Sequence, residues 1–264
     1  MIGFVHIPKT AGTTVKFILR NSIGLKHCDV KTKNPDGILS DKDLNFAKKI
    51  FFWGLNSIAG HSLISPATNI SRSVQYFTFI REPAQRCASH YQHTKRAMKR
   101  KGNDISFKEF IKNENMQNVQ VKQIAGGLDI EKAIAELKTK YLFVGLTERF
   151  GESMQILQTL CPYKMDLRHK KLHVAKDNAA KKDALENPAN LKLLKKNNAM
   201  DQKLYEFVKD VIYPAQLKKA GMLNTVTNVK EEKSNFYPYK YKLARAYNQA
   251  IYRSLMKMGK RYTR

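Results

Sequence analysis

Three times along the chain a short apolar run is followed by a break and then by a stretch of helical period, and this alternation constrains the fold more than any other feature. Residues 2–7 (IGFVHI) are long enough for a buried strand and too short for a helix. After a break at 8–12, Val15, Ile18, Leu19 and Ile23 recur at i, i+3, i+4 and i+8, the stripe of an amphipathic helix. Residues 74–80 (VQYFTFI), then Arg81 and Glu82, then a helix opened by Pro83 make a second unit, since proline suits a first helical turn. YLFVGL (141–146), TER and GESMQILQTL make a third. Strands alternating with helices predict an α/β domain, a mostly parallel sheet flanked by helices. Its three loops should open onto one sheet edge, where ligands bind.

No repeat and no Gly/Ser- or Pro-rich linker divides the 264 residues, so one domain is expected, with a core over 1–162 and a helical, basic part over 163–264. A hydrophobic fraction of 42% can build a core and excludes a wholly disordered basic chain. With 48 Lys+Arg against 22 Asp+Glu the net charge is +26, which calls for an anionic partner: nucleic acid, membrane surface, phosphorylated cofactor or acidic polysaccharide. Residues 236–264 hold eight Lys/Arg and no acid. They read first as a solvated basic helix, and second as one facing an anion or a membrane surface. Three cysteines at unrelated spacings, without CxxC, predict neither a disulfide framework nor a cysteine zinc site. No apolar run approaches the roughly 18–20 residues that span a bilayer, and MIGFVHIPKT shows no basic n-region, h-region and cleavage site, so no secretory signal is expected. The expected location is cytoplasmic, with peripheral membrane contact through the basic tail as the alternative.

HIPKTAGTT (6–14) lies between a strand and a helix, where free N–H groups and the helix dipole favour an anion. Gly12 should allow close backbone approach, Thr10, Thr13 and Thr14 offer hydroxyls, and Lys9 adds a mobile cation. This is not a Walker A loop, which needs glycine where Ile7 sits and lysine where Thr13 sits. Nor does the second strand end in a magnesium-binding aspartate; it runs into Arg81, a residue for holding anions. Eight residues on, Ser89 stands ready to donate a hydroxyl hydrogen bond beside a bidentate Arg81. Arg86, off that face, is expected to be structural.

HIPKTAGTT followed by an apolar strand and REPAQRCASHY resembles the carbohydrate-type sulfotransferases that use 3′-phosphoadenosine 5′-phosphosulfate (PAPS), the group that includes heparan sulfate 2-O-sulfotransferase. Weaker likenesses continue through NVQVKQIAGG, YLFVGLTERFGES and NNAMDQKLYEFV. The resemblance implies a P-loop-like α/β fold. It implies Lys9, Thr10, Ala11, Gly12, Thr13 and Thr14 around the 5′-phosphosulfate, Lys9 at the leaving phosphate, and Arg81 and Ser89 on the 3′-phosphate. The chemistry implied is in-line transfer of sulfuryl to an acceptor hydroxyl, of a glycan as is the family's habit, with 3′-phosphoadenosine 5′-phosphate (PAP) as product and no metal. Animal relatives usually carry a membrane anchor, so a chain opening on its first strand is expected to be a bacterial-type enzyme or a trimmed one.

An acceptor hydroxyl needs a base, and histidine has the pKa for it. His61, in SIAGHSLI, stands in a Gly-His context that resembles the family's proposed base. His6 reads as strand packing and His27 as an uninformative loop residue. The pairs His90/His93 and His169/His173 have metal spacing but no third ligand. Trp53 in FFWGL is expected in the core. HVAKDNAAKK (173–182) loosely resembles a segment that closes over PAPS, with Ala175 where an arginine is expected. The alternatives are a kinase on a related fold, a basic nucleic-acid-binding module, which leaves HIPKTAGTT unexplained and is disfavoured, and an inactive relative.

Overall fold

The computed structural model describes residues 1–32, 34–64, 74–169, 178–223 and 237–254. Five strands, β1 (Ile2–Val5), β2 (His27–Asp29), β3 (Ser57–Gly60), β4 (Gln75–Ile80) and β5 (Tyr141–Leu146), form one parallel sheet in the order β2-β3-β1-β4-β5. The strands foreseen at 2–7, 74–80 and 141–146 are β1, β4 and β5; β2 and β3, only three and four residues long, gave no pattern to read. Around the sheet lie α1 (Gly12–Ile23), α2 (Asp41–Ile50), α3 (Pro83–Lys99), α4 (Phe107–Lys112), α5 (Val119–Ala125) and α6 (Ile130–Thr139). They are followed by α7 (Phe150–Leu160), α8 (Ala179–Glu186), α9 (Pro188–Asn197), α10 (Ala199–Phe207), α11 (Tyr213–Lys219) and α12 (Tyr239–Ala246). Among the described residues no helix is long and apolar enough to cross a membrane.

Because side chains alternate along a strand, the sheet has two cores. Phe4, Phe77, Phe79 and Phe143 pack on one face with α1, α5, α6, α7 and α10. Their rings are 5.1 Å apart for Phe4–Phe77 and 5.9 Å for Phe79–Phe143. Val5, Cys28, Ile58 and Tyr76 belong to the second core, with Leu44 and Ala47 of α2. A third cluster joins α3, α4, α8 and α9 through Tyr91, Phe107, Phe110 and Leu194.

Both sheet edges are closed by carboxamides from the C-terminal helices. Gln216 of α11 accepts from the N–H of Val144 (2.7 Å) and donates to its carbonyl (3.0 Å), as a neighbouring strand would. Asn248, in the π turn Tyr247–Tyr252 that continues α12, accepts from the N–H of Asp29 (2.7 Å) and donates to His27 O (3.0 Å). The expectation of a solvated tail is therefore corrected over the described part. Tyr241, Ala244, Asn248 and Tyr252 are buried against α1 and β2, while Lys240, Lys242 and Arg245 stay exposed; residues 255–264 lie outside the described residues. Trp53 is likewise corrected. Phe52 turns into the core and Gly54 (φ 67°) closes the turn after α2, which leaves Trp53 95% exposed. His27 is corrected too: it is fully buried in β2, with Nδ1 2.7 Å from the Ser57 hydroxyl.

Candidate active site

Beyond β1 the chain turns through residues 6–11 into α1. Lys9 and Ala11 adopt φ of 71° and 61°, with no positive φ at Thr10 between them. Left-handed backbone costs such residues of order 1–3 kcal/mol, and alternating hand makes a concavity of N–H groups suited to anions. The Thr10 hydroxyl donates to Ile7 O at 3.0 Å and is fully buried. It shapes the loop rather than facing a ligand, which corrects the expectation of three available hydroxyls; Thr13 is exposed and Thr14 half-buried. Gly12 is required by packing, since a Cβ there would lie 1.8 Å from Nε2 of His6. Helix α1 has no capping side chain and no acid in its first turn. By contrast Ser40, Glu82, Ser106 and Asp129 cap α2, α3, α4 and α6. The N–H of Thr14 turns back to Ala11 O (2.9 Å), and no cap side chain takes those of Gly12 and Thr13, where the helix dipole favours an anion.

Arg81 leaves β4 and reaches the loop, its Nη1 donating to Lys9 O at 3.2 Å. Its own backbone is clamped by Gln120 of α5, which accepts from Arg81 N (2.9 Å) and donates to Arg81 O (2.9 Å). Asp201 of α10 holds that clamp, accepting from the N–H groups of Gln120 (3.2 Å) and Val121 (2.9 Å). Arg86 is fully buried with Nε 3.9 Å from Asp201, away from the loop. Glu148 lies 4.0 Å from Arg81 Nε and accepts from Glu82 N at 3.0 Å.

The electrostatics draw two more cations to this place. Burial, then the charges of Arg81 and Arg96, pull Lys9 below its usual pKa. Burial also lowers Arg81, against the pull of Glu148 and Glu82, and burial followed by Arg81 lowers Lys181. Lys9 is thus repelled by Arg81 and Arg96, and Lys181 by Arg81, in a partly desolvated region, and a bound polyanion would relieve both costs. Ser89 is half-buried on α3, seven residues before Arg96 and so two turns along the same face. That spacing was the readable signal for Arg96; Lys181 is the last residue but one of the HVAKDNAAKK segment, whose residues 173–177, Ala175 among them, lie outside the described residues.

His61 follows β3, one strand over from the loop. Its Nδ1 is 2.6 Å from His6 O, and its ring stacks on that of His6 with centroids 4.0 Å apart. Gln123 of α5 donates to His61 O (2.8 Å) and Leu63 O (3.1 Å). One short helix thus positions both Arg81 and His61, through glutamines three residues apart on one face. Although His61 is exposed as a residue, its ring is part-buried where it meets His6. That burial lowers its pKa, with Lys16 adding to the shift and the hydrogen bond to His6 opposing it. A cavity of about 490 Å³ opens beside it, lined by Lys16, Thr32, Ser62 and Arg253 among others.

A loop built for anions, a strand-end arginine and a nearby neutral histidine agree with what one comparison finds: a model of the sulfotransferase family matches residues 1–210. The chain belongs to the sulfotransferase family. A search of curated proteins gave no match. The sheet that carries this sulfotransferase's site lies wholly within the matched span, whereas α11 and α12 fall outside it.

The remaining histidines of the sulfotransferase lie apart from this chemistry or support it. His90 packs edge-on against Phe110, and burial, then Arg86 and Lys9, push its pKa down to about 4. His93 is exposed, and His169 is buried against Phe150 with Nδ1 2.9 Å from Leu167 O. His173 lies outside the described residues. Among the described residues no three His, Cys, Asp or Glu side chains gather as a metal site requires.

Proposed function

We propose that the sulfotransferase moves the sulfuryl group from PAPS to a hydroxyl of a carbohydrate acceptor. The observation that carries the reading is the contact of Arg81 Nη1 with Lys9 O at 3.2 Å, which joins the two anion-binding elements into one continuous cationic surface. PAPS supplies an activated sulfuryl group with a phosphate leaving group and a second phosphate on its ribose. The residues present suit it: the uncapped start of α1 and the 9–14 loop for the 5′ end, Arg81 and Ser89 for the 3′-phosphate, with Arg96 and Lys181 adding charge. Lys9 and the loop N–H groups are placed to steady charge that grows on the leaving phosphate, as fixed donors in a desolvated site do. His61 accepts the acceptor hydroxyl's proton at Nε2, and a cavity with Thr32 and Ser62 in its wall suits a polyhydroxylated partner.

Calorimetric titration with PAP, beside ATP at physiological salt, tests the donor assignment. PAP should bind at micromolar Kd, ATP much more weakly, and both Arg81→Ala and Lys9→Ala should lose at least tenfold. Folded protein that fails to bind PAP would overturn the reading.

A further inference from the structure

Trp53, the chain's single tryptophan, stands almost wholly in solvent in the turn between α2 and β3. Leu25, Phe46 and Ile50 are also large, apolar and exposed. Phe46 and Ile50 share one face of α2 at i and i+4, just before the turn. The 3-10 turn Gly24–Lys26, which carries Leu25, is tied to the same place. Asn56 N donates to Lys26 O at 2.9 Å, and the Lys26 side chain runs past Gly54, its Cε 3.7 Å from where a Cβ would stand. Lone exposed apolar residues are ordinary, but a gathered set marks a contact surface.

Helix α12 borders this surface, for it packs on α1 and on the turn Gly24–Lys26, and the Tyr247 hydroxyl donates to Phe51 O at 2.6 Å. Its inner face buries Tyr241 and Ala244, yet its outer face is apolar too: Tyr239 and Leu243, at i and i+4, are exposed. An ordinary surface helix has one apolar stripe, and α12 has two. Residues 24–26, 44–56 and 237–252 together hold six Lys/Arg and no acid. The acids of α2, Asp41 and Asp43, stand in its first turn, at the far end of that helix. The chain enters β2 and β3 from this face, whereas His61, Arg81 and the 6–11 loop follow strand ends. In a parallel sheet those are opposite edges, so a partner here leaves the donor site open.

We infer that this face docks the protein on an anionic lipid surface, Trp53 and its apolar neighbours entering the headgroup layer while the cations meet lipid phosphates and carboxylates. Tryptophan and flanking lysines are the side chains that layer favours, being part apolar and part wet. A nucleic acid would take up the charge and leave Leu25 and Ile50 in water. A second copy of a chain carrying +26 would set like charge against like. The docking surface does not depend on what the donor is.

The single tryptophan makes the test direct. The full chain at physiological salt is mixed with vesicles of phosphatidylcholine alone or of equimolar phosphatidylcholine and phosphatidylserine. On the mixed vesicles Trp53 emission should shift to shorter wavelength, and lipids carrying a nitroxide just below the headgroup should quench it. By co-sedimentation the mixed vesicles should bind about tenfold or more tightly than the neutral ones. Trp53→Ala should lose about tenfold of that affinity and Lys49→Gln about fivefold, while Lys108→Gln on the remote α4 loses none. Vesicle binding with unshifted, unquenched emission is adhesion of a basic protein by charge alone and overturns the proposal, as does no binding. A blue shift that grows with protein concentration without lipid means that a second copy covers the face, and overturns it too. Should Trp53→Ala melt early, Leu25→Ser gives the same reading, and an unchanged affinity again overturns the docking. PAP affinity should be equal with and without vesicles; a loss on vesicles would place the lipid over the donor site instead. Failure to bind PAP in either condition touches the donor assignment alone.

Discussion

Nδ1 of His61 lies 2.6 Å from the backbone oxygen of His6. A carbonyl only accepts, so Nδ1 carries the proton, and Nε2 of the neutral ring keeps the lone pair that a general base needs. His61→Ala should lower kcat by roughly 10²–10⁴ while leaving PAP affinity unchanged. A variant retaining near-normal turnover would remove His61 from the chemistry.

The pH profile follows from the same contact. Burial holds the His61 pKa below its ordinary 6.5, so the ring stays neutral, and base-competent, somewhat below that pH. The acid limb of kcat/KM should therefore fall below pH 6.5. A limb centred clearly above it would contradict the assignment.

Two glutamines on α5 separate donor binding from catalysis. Gln120→Leu leaves both Arg81 N and Arg81 O without their partner, a loss of about 1–3 kcal/mol. It should raise the Kd for PAP and lower Tm. Gln123→Leu frees the carbonyls of His61 and Leu63 instead, and should lower kcat with little change in PAP affinity. Steady-state kinetics beside PAP calorimetry read the split, and identical behaviour of the two variants would argue that α5 merely supports the fold.

Gly12→Ala drives a methyl to 1.8 Å from the His6 ring, and overpacking of this kind costs about 1–3 kcal/mol. His6→Ala in the same chain should recover part of that loss of stability, a coupling that urea denaturation of the four-member cycle measures. Strict additivity would show that glycine is needed there for another reason.

Stability should decline in mild acid. Burial is the main cause that lowers the pKa of both His6 and His27. Between 6.5 and those lower folded values the unfolded chain binds more protons than the folded one. The contribution is thus complete above pH 6.5 and is lost as pH falls through the folded values. Urea midpoints measured from pH 8 to 5 should drop below 6.5, and a flat profile would show that these rings are not buried neutral.

Some of this architecture was legible along the chain and some was not. β1, β4 and β5 announced themselves as apolar runs bounded by breaks, and Lys9, Arg81 and His61 stood just beyond strand ends. β2 and β3 are too short for a period to show. Trp53 misled because composition marks an aromatic as core, whereas the turn closed by Gly54 sets which neighbour, Phe52 or Trp53, points inward. Thr10 misled similarly, since a hydroxyl's residue type says nothing of the carbonyl it will find.

By itself the sequence determined what depends on neighbours in the chain: strand and helix periods, a strand–loop–helix turn without the Walker A pattern, and arginine in place of a metal-binding aspartate. Only the tertiary structure decided which distant groups meet: Gln120 with Arg81 across 39 residues, His61 with His6 across 55, and Asn248 with His27 across 221. The reason is the range of the forces. Backbone propensity and hydrophobic period act over a few residues, whereas hydrogen bonds and desolvation act between whatever surfaces the sheet register brings into contact.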